Sequence, residues 1–111
     1  MDAGAYIALK TGAIYDLPSF HAESQRALGF PAGYAGTLEA WIDCMATLRD
    51  PDARATPSVE PGEMLQLEIS DFDELRERAP DVVDAIVVGV SMANRRYLDT
   101  GQAPAIALIL S

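Results

Sequence analysis

Apolar and polar positions recur along this chain with two different periods, and the changes of period divide it into elements. Tyr6-Ile7-Ala8-Leu9 is a short run of strand formers closed by the turn signal Lys10-Thr11-Gly12, which predicts a first strand near residues 5–9. A helix is expected next. Ser19 or Asp16 supplies its cap, Pro18 stands near its start, Phe20, Ser24, Ala27 and Leu28 run through it, and Gly29 falls just past its end. From Thr37, the positions Leu38, Trp41, Met45 and Leu48 repeat at three and four residues and so share the core side of a second helix. Glu39 and Asp43 lie one turn apart and point almost opposite to that stripe, with Ala40 and Ala46 beside them and Ile42 on the flank, giving a shallow acidic outward face.

Residues 49–63 hold three prolines and no hydrophobic period, the composition of a long surface loop. Met64 to Ile69 alternates, with Leu65, Leu67 and Ile69 on one side and Gln66 and Glu68 on the other, which is a strand pattern, and Ser70 follows as a helix cap. A short helix then runs from Asp71-Phe72-Asp73 through Leu75, with acids in its first turn and Arg76 and Arg78 in its last, and Pro80 ends it and starts another. Val82, Val83, Ile86, Val87, Val90, Ala93 and Tyr97 form a helical stripe between Asp81 and Leu98. The strand propensity of Ile86-Val87-Val88 is outweighed there by length and by the placing of Asp84 and Asn94. After Gly101, the continuous apolar run from Ala105 to Leu110 suits a strand buried on both faces. The order strand, two helices, strand, two helices, strand predicts an α/β fold, a three-stranded parallel sheet covered by about four helices.

At 111 residues the chain has the size of a single domain with one core. Seventeen acids against eight bases give a net charge of -9, which repels phosphate backbones and attracts a cationic partner, so no direct nucleic-acid binding is expected. The acid in Met1-Asp2-Ala3-Gly4-Ala5 does not suit a secretory signal, and no apolar run approaches the roughly 18 residues of a membrane span. A cytoplasmic protein with no membrane contact is the expectation. A lone cysteine, Cys44, makes neither an internal disulfide nor a thiol-metal site and is assigned to packing.

Acid-base catalysis by Glu39 and Asp43 would need one carboxyl kept neutral by burial, which an exposed helix face does not provide. A solvated face accounts for the pair as well as a binding role does, although two like charges one turn apart are mildly unfavourable and binding would justify that. His21, the single histidine, has no spacing to Ser19, Ser24 or Cys44 that suggests nucleophilic catalysis, and is expected on the exposed side of the first helix. Gly29, Gly33 and Gly36 lack the Gly-Lys-Ser/Thr that a phosphate loop requires and serve turn geometry. Tyr34, just before the acidic helix, is either an interface anchor or packed under its loop. Loop residues Tyr34 and Gly36 and helix residues Glu39, Ile42, Asp43 and Ala46 together form one candidate partner-binding surface. No catalytic residue, cofactor or metal is expected.

The segment Phe30-Pro31-Ala32-Gly33-Tyr34-Ala35-Gly36-Thr37-Leu38-Glu39-Ala40-Trp41-Ile42-Asp43-Cys44-Met45 resembles the central motif of the barstar family, intracellular inhibitors of barnase-type ribonucleases. The Asp-Cys pair preceded by Leu-acid-Ala is its most specific part, and Ala105 to Ser111 looks like the family's closing strand. The resemblance implies a toxin or extracellular-type ribonuclease, or another basic protein, as partner. It matches Asp43 to the aspartate that enters the ribonuclease active site in place of a phosphate, Glu39 to a second acidic contact, and Tyr34 to the approaching loop. The chain departs from the pattern at Gly33, where an aromatic is common, and at Ile42 and Glu39. Leu98, with Asp99 beside it, stands where the family's last helix supplies an acid. A protein-interaction module with a non-nuclease partner is the alternative that these departures allow.

Overall fold

A computed structural model describes residues 4–55 and 57–111. Strand β1 (Gly4–Leu9) leads through a 3-10 turn (Thr11–Ala13) to helices α1 (Leu17–Leu28) and α2 (Leu38–Met45). Strand β2 (Met64–Ile69) is followed by α3 (Phe72–Arg78) and α4 (Pro80–Asp99), and β3 (Ile106–Leu110) closes the chain. The sheet order is β1-β2-β3 with both pairs parallel, so Ile7 faces Leu67 and Leu67 faces Leu108. This is the α/β architecture that the pattern predicts.

Because the strands follow chain order, both crossovers step in the same direction, and the right-handed rule puts both helical connections on one face of the sheet. Burial along the strands agrees. Leu9, Leu65, Leu67 and Ile69 are buried, whereas Tyr6 and Gln66, on the opposite face, are exposed. The expectation of a last strand buried on both faces is therefore corrected: β3 is an edge strand in which Ile106, on the helix-covered face, is fully covered, Ala107 and Ile109, on the other face, are only half-buried, and Leu110 at its end is exposed.

Local chemistry sets the element ends. Of the two caps considered for α1, Asp16 is the N-cap: its carboxylate accepts from the Ser19 amide at 2.9 Å while the Ser19 hydroxyl accepts from the Asp16 amide at 3.0 Å. Gly29 ends the helix at φ 66°, a left-handed conformation that costs glycine little. Ser70 is not the cap of α3. Asp71 occupies that position, with φ 51° and no side-chain cap bond, and the Phe72 amide donates instead to the Ser111 carbonyl.

Three further corrections come from packing. Leu48 is buried, as the stripe predicts, but α2 stops at Met45 and Leu48 lies in the turns after it. Val87, placed in the stripe of α4, is 46% exposed, because α4 packs through Val82, Val83, Ile86, Val90, Ala93 and Tyr97. The 49–63 loop is not wholly superficial: Ala55 and Val59 join the core, and the Val59 amide donates to the Leu48 carbonyl. Arg49 secures the loop by donating to the carbonyls of Glu63, Ala103 and Pro104.

Candidate functional site

Helix α2 is held at its start, middle and end, and this fixes which of its side chains face out. The Thr37 hydroxyl caps the N-terminus by accepting from the Ala40 amide at 3.1 Å. In the middle, Trp41 is fully buried, its indole N–H donates to the Ser24 hydroxyl at 3.1 Å, and its ring lies over α4. Only a glycine allows that approach, since a Cβ on Gly89 would meet the Trp41 ring at 2.8 Å. At the C-terminal end the Tyr97 hydroxyl donates to the Met45 carbonyl at 2.8 Å and accepts from the Leu48 amide at 2.9 Å. Tyr97 thereby satisfies a carbonyl that the helix end leaves without an intrahelical partner.

With Trp41, Cys44 and Met45 buried, Glu39 and Asp43 are the acids left on the outward side, Glu39 exposed and Asp43 half-exposed. Ala46, the C-cap residue, is half-buried at the same end. Ile42, expected on the flank of this face, is corrected to a core position at 7% exposure, in the same buried cluster as Trp41, Cys44 and Met45. Gly36 is exposed at φ 72°, the left-handed turn that delivers the chain into Thr37. Tyr34, Ala40, Asp43, Cys44 and Arg54 line a shallow depression of about 290 Å³ at the junction of loop and helix. Beyond the loop's other flank lies a larger apolar groove of about 760 Å³, walled by Leu17, His21, Leu38 and Val88 and carrying the carboxylates of Asp81 and Asp84.

Basic side chains from other elements stand beside the acidic face of α2. Arg96, from the last turn of α4, donates to Asp43 Oδ1 at 2.6 Å, with the two side chains 50% and 43% exposed. Arg54 of the long loop lines the same depression. Among the acids near the end of α4, Asp99 accepts from Arg95 at 3.2 Å, while Leu98 is an exposed apolar residue.

His21 is also corrected, from exposed to buried. Its ring stands 5.0 Å from Phe20 and its Nδ1 is hydrogen-bonded to the Tyr34 hydroxyl at 2.6 Å. Phe30 packs on Tyr34 with centroids 4.9 Å apart, so Tyr34 is half-buried, holding the loop to α1. Burial lowers the His21 pKa below its ordinary 6.5 and raises that of Tyr34. A histidine whose folded pKa is lowered takes up its proton more readily in the unfolded chain. Its contribution is present above pH 6.5 and lost as pH falls through the folded value. Urea melts from pH 8 to pH 5 should therefore show the wild type losing stability below about pH 6.5 relative to His21→Asn, with parallel curves above it. Parallel curves throughout would show that His21 charges without cost.

The chain matches the family model described as Barstar (barnase inhibitor) over residues 5–109, nearly its whole length. The chain belongs to the barstar family. Among curated proteins, none matches it. The barstar family is one of inhibitors rather than enzymes, and the chain is in general terms a barnase-inhibitor-like domain. A barstar domain implies, at that level, a barnase-like ribonuclease as partner. Among the described residues, no helix is long and apolar enough to cross a membrane.

Proposed function

We propose that this barstar-family protein binds and inhibits a ribonuclease by laying the loop at Tyr34 and Gly36 and the outward face of α2 over the enzyme's basic active site. Asp43 is the central contact, its carboxylate pairing with arginines or lysines that otherwise hold the substrate phosphate. Glu39, one turn earlier, adds a second acidic contact, and Ala46 and Tyr34 border the patch. The observation that carries this reading is that Glu39 and Asp43, the acids of the family motif, are the charged side chains α2 turns outward. The net charge of -9, with Asp81 and Asp84 beside the same loop, supplies a field that draws a basic partner in. An inhibitor of this kind acts as an immunity protein in the cytoplasm, where the RNA it protects resides.

Calorimetric titration into a barnase-type ribonuclease tests this. The expected result is one-to-one binding that weakens steeply as salt rises from 50 to 500 mM, since screening shortens the range of the attraction. Salt-independent binding would place the contact elsewhere. Arg54 and Arg96, both at the patch, favour a second reading in which the partner is not a nuclease. Absence of any heat with the ribonuclease would select it.

A further inference from the structure

The fold positions Arg96 deliberately. Its neighbour Tyr97 is buried and bonded to both Met45 and Leu48, so the backbone that carries Arg96 is fixed beside the last turn of α2. The contact with Asp43 joins residues 53 apart in sequence. Arg95, by contrast, serves its own helix through Asp99. We propose that Arg96 is an internal competitor for the partner's cation, occupying Asp43 in the free protein and setting the affinity of the surface, an inference that rests on the inhibitor reading above.

The physical argument is one of exchange. An incoming lysine or arginine must share Asp43 with Arg96 or displace it, and in either case the guanidinium left near a basic partner repels it. An exposed ion pair contributes about 0.2–1 kcal/mol, equivalent to about 1.4- to 5-fold in an equilibrium constant. That weakens, by the same factor, the contact of an isolated surface cation of an unrelated protein with Asp43. A site that converges two or more cations on one desolvated carboxylate exceeds it easily, because charge-assisted and bidentate bonds are stronger there. Arg96 therefore lowers the affinity of every partner by a similar factor, and the partners that still bind are those whose positive charge is concentrated, as in a phosphate-binding cleft.

The test is calorimetric titration of Arg96→Gln, Arg95→Gln, Asp43→Asn and the double variant Asp43→Asn/Arg96→Gln into a barnase-type ribonuclease. The two single arginine variants carry the same net charge, and both side chains are on the surface, so each should fold as the wild type does. The expected result is that Arg96→Gln binds up to about 5-fold more tightly than wild type, that Arg95→Gln binds as wild type does, and that the gain disappears in the Asp43→Asn background. Equal tightening by both arginine variants would reduce the effect to net charge and overturn the proposal, as would a gain that persists without Asp43 or a loss of affinity in Arg96→Gln. In each of those cases wild-type binding leaves the inhibitor reading standing. If neither wild type nor any variant binds, the inhibitor reading itself falls and takes this proposal with it.

Discussion

Replacing Trp41 by alanine is expected to destabilise the protein by about 3–5 kcal/mol. The largest fully buried side chain would be lost, leaving a cavity between α1, α2 and α4 that Gly89, without a side chain of its own, cannot fill. The buried Ser24 hydroxyl would lose the indole N–H that donates to it. Because total stabilities of domains this size are about 5–15 kcal/mol, such a loss is a large share of the whole. Trp41→Phe should cost less, since the ring is kept and only the hydrogen bond and part of the volume go. Urea unfolding followed by circular dichroism measures both, and a loss below about 1 kcal/mol for the alanine variant would show that α2 is not pinned through Trp41.

Asp43→Ala is expected to weaken ribonuclease binding by at least about 2 kcal/mol, roughly 30-fold, while changing folding stability by less than about 1 kcal/mol. The contrast follows from geometry. The Asp43 side chain is 43% exposed and its ion pair with Arg96 is on the surface, so the free protein loses little. In the complex, the partner's cations would be left without their carboxylate, and Arg96, no longer neutralised, would face them. Glu39→Ala should cost less than about 1 kcal/mol, because an exposed carboxylate at the edge of the patch is screened. Equal losses at the two positions would shift the centre of the interface toward the start of α2.

Much of this was legible in the chain. The alternation at Leu65, Leu67 and Ile69 and the Leu38, Trp41, Met45 spacing are short-range signals, and the elements they predict are present. Glu39 and Asp43 could be placed outward for the same reason, since a helical stripe fixes the direction opposite to it. What escaped was pairing across long sequence separations. His21, Glu23 and Ser24 are polar residues of α1, yet all three are buried. Each has a partner supplied by another segment or by its own helix: the Tyr34 hydroxyl, the Lys10 amide with Arg26, and the Trp41 indole. Burial of a polar residue depends on such a partner, and spacing along one helix does not reveal it.

Arg96 escaped for the same reason. Tyr97 could be read as a core position, but the crossing of α4 over α2 that sets the preceding residue, Arg96, against Asp43 is a property of the packed helices. Gly89 carries a signal that was available in retrospect: a glycine amid valines in a long helix weakens the helix unless another group packs against the bare backbone. The open face of the sheet follows from strand order, which element order alone left undetermined.

The most direct test of the central claim, that α2 covers a ribonuclease active site through Asp43, is inhibition rather than binding. RNA cleavage by a barnase-type ribonuclease would be followed against increasing amounts of the protein, with Asp43→Ala in parallel. The account predicts activity falling to zero at one equivalent of wild type, with the variant needing a far higher concentration for the same effect. A stable complex that still cleaves RNA, or inhibition equally strong with Asp43→Ala, would contradict it.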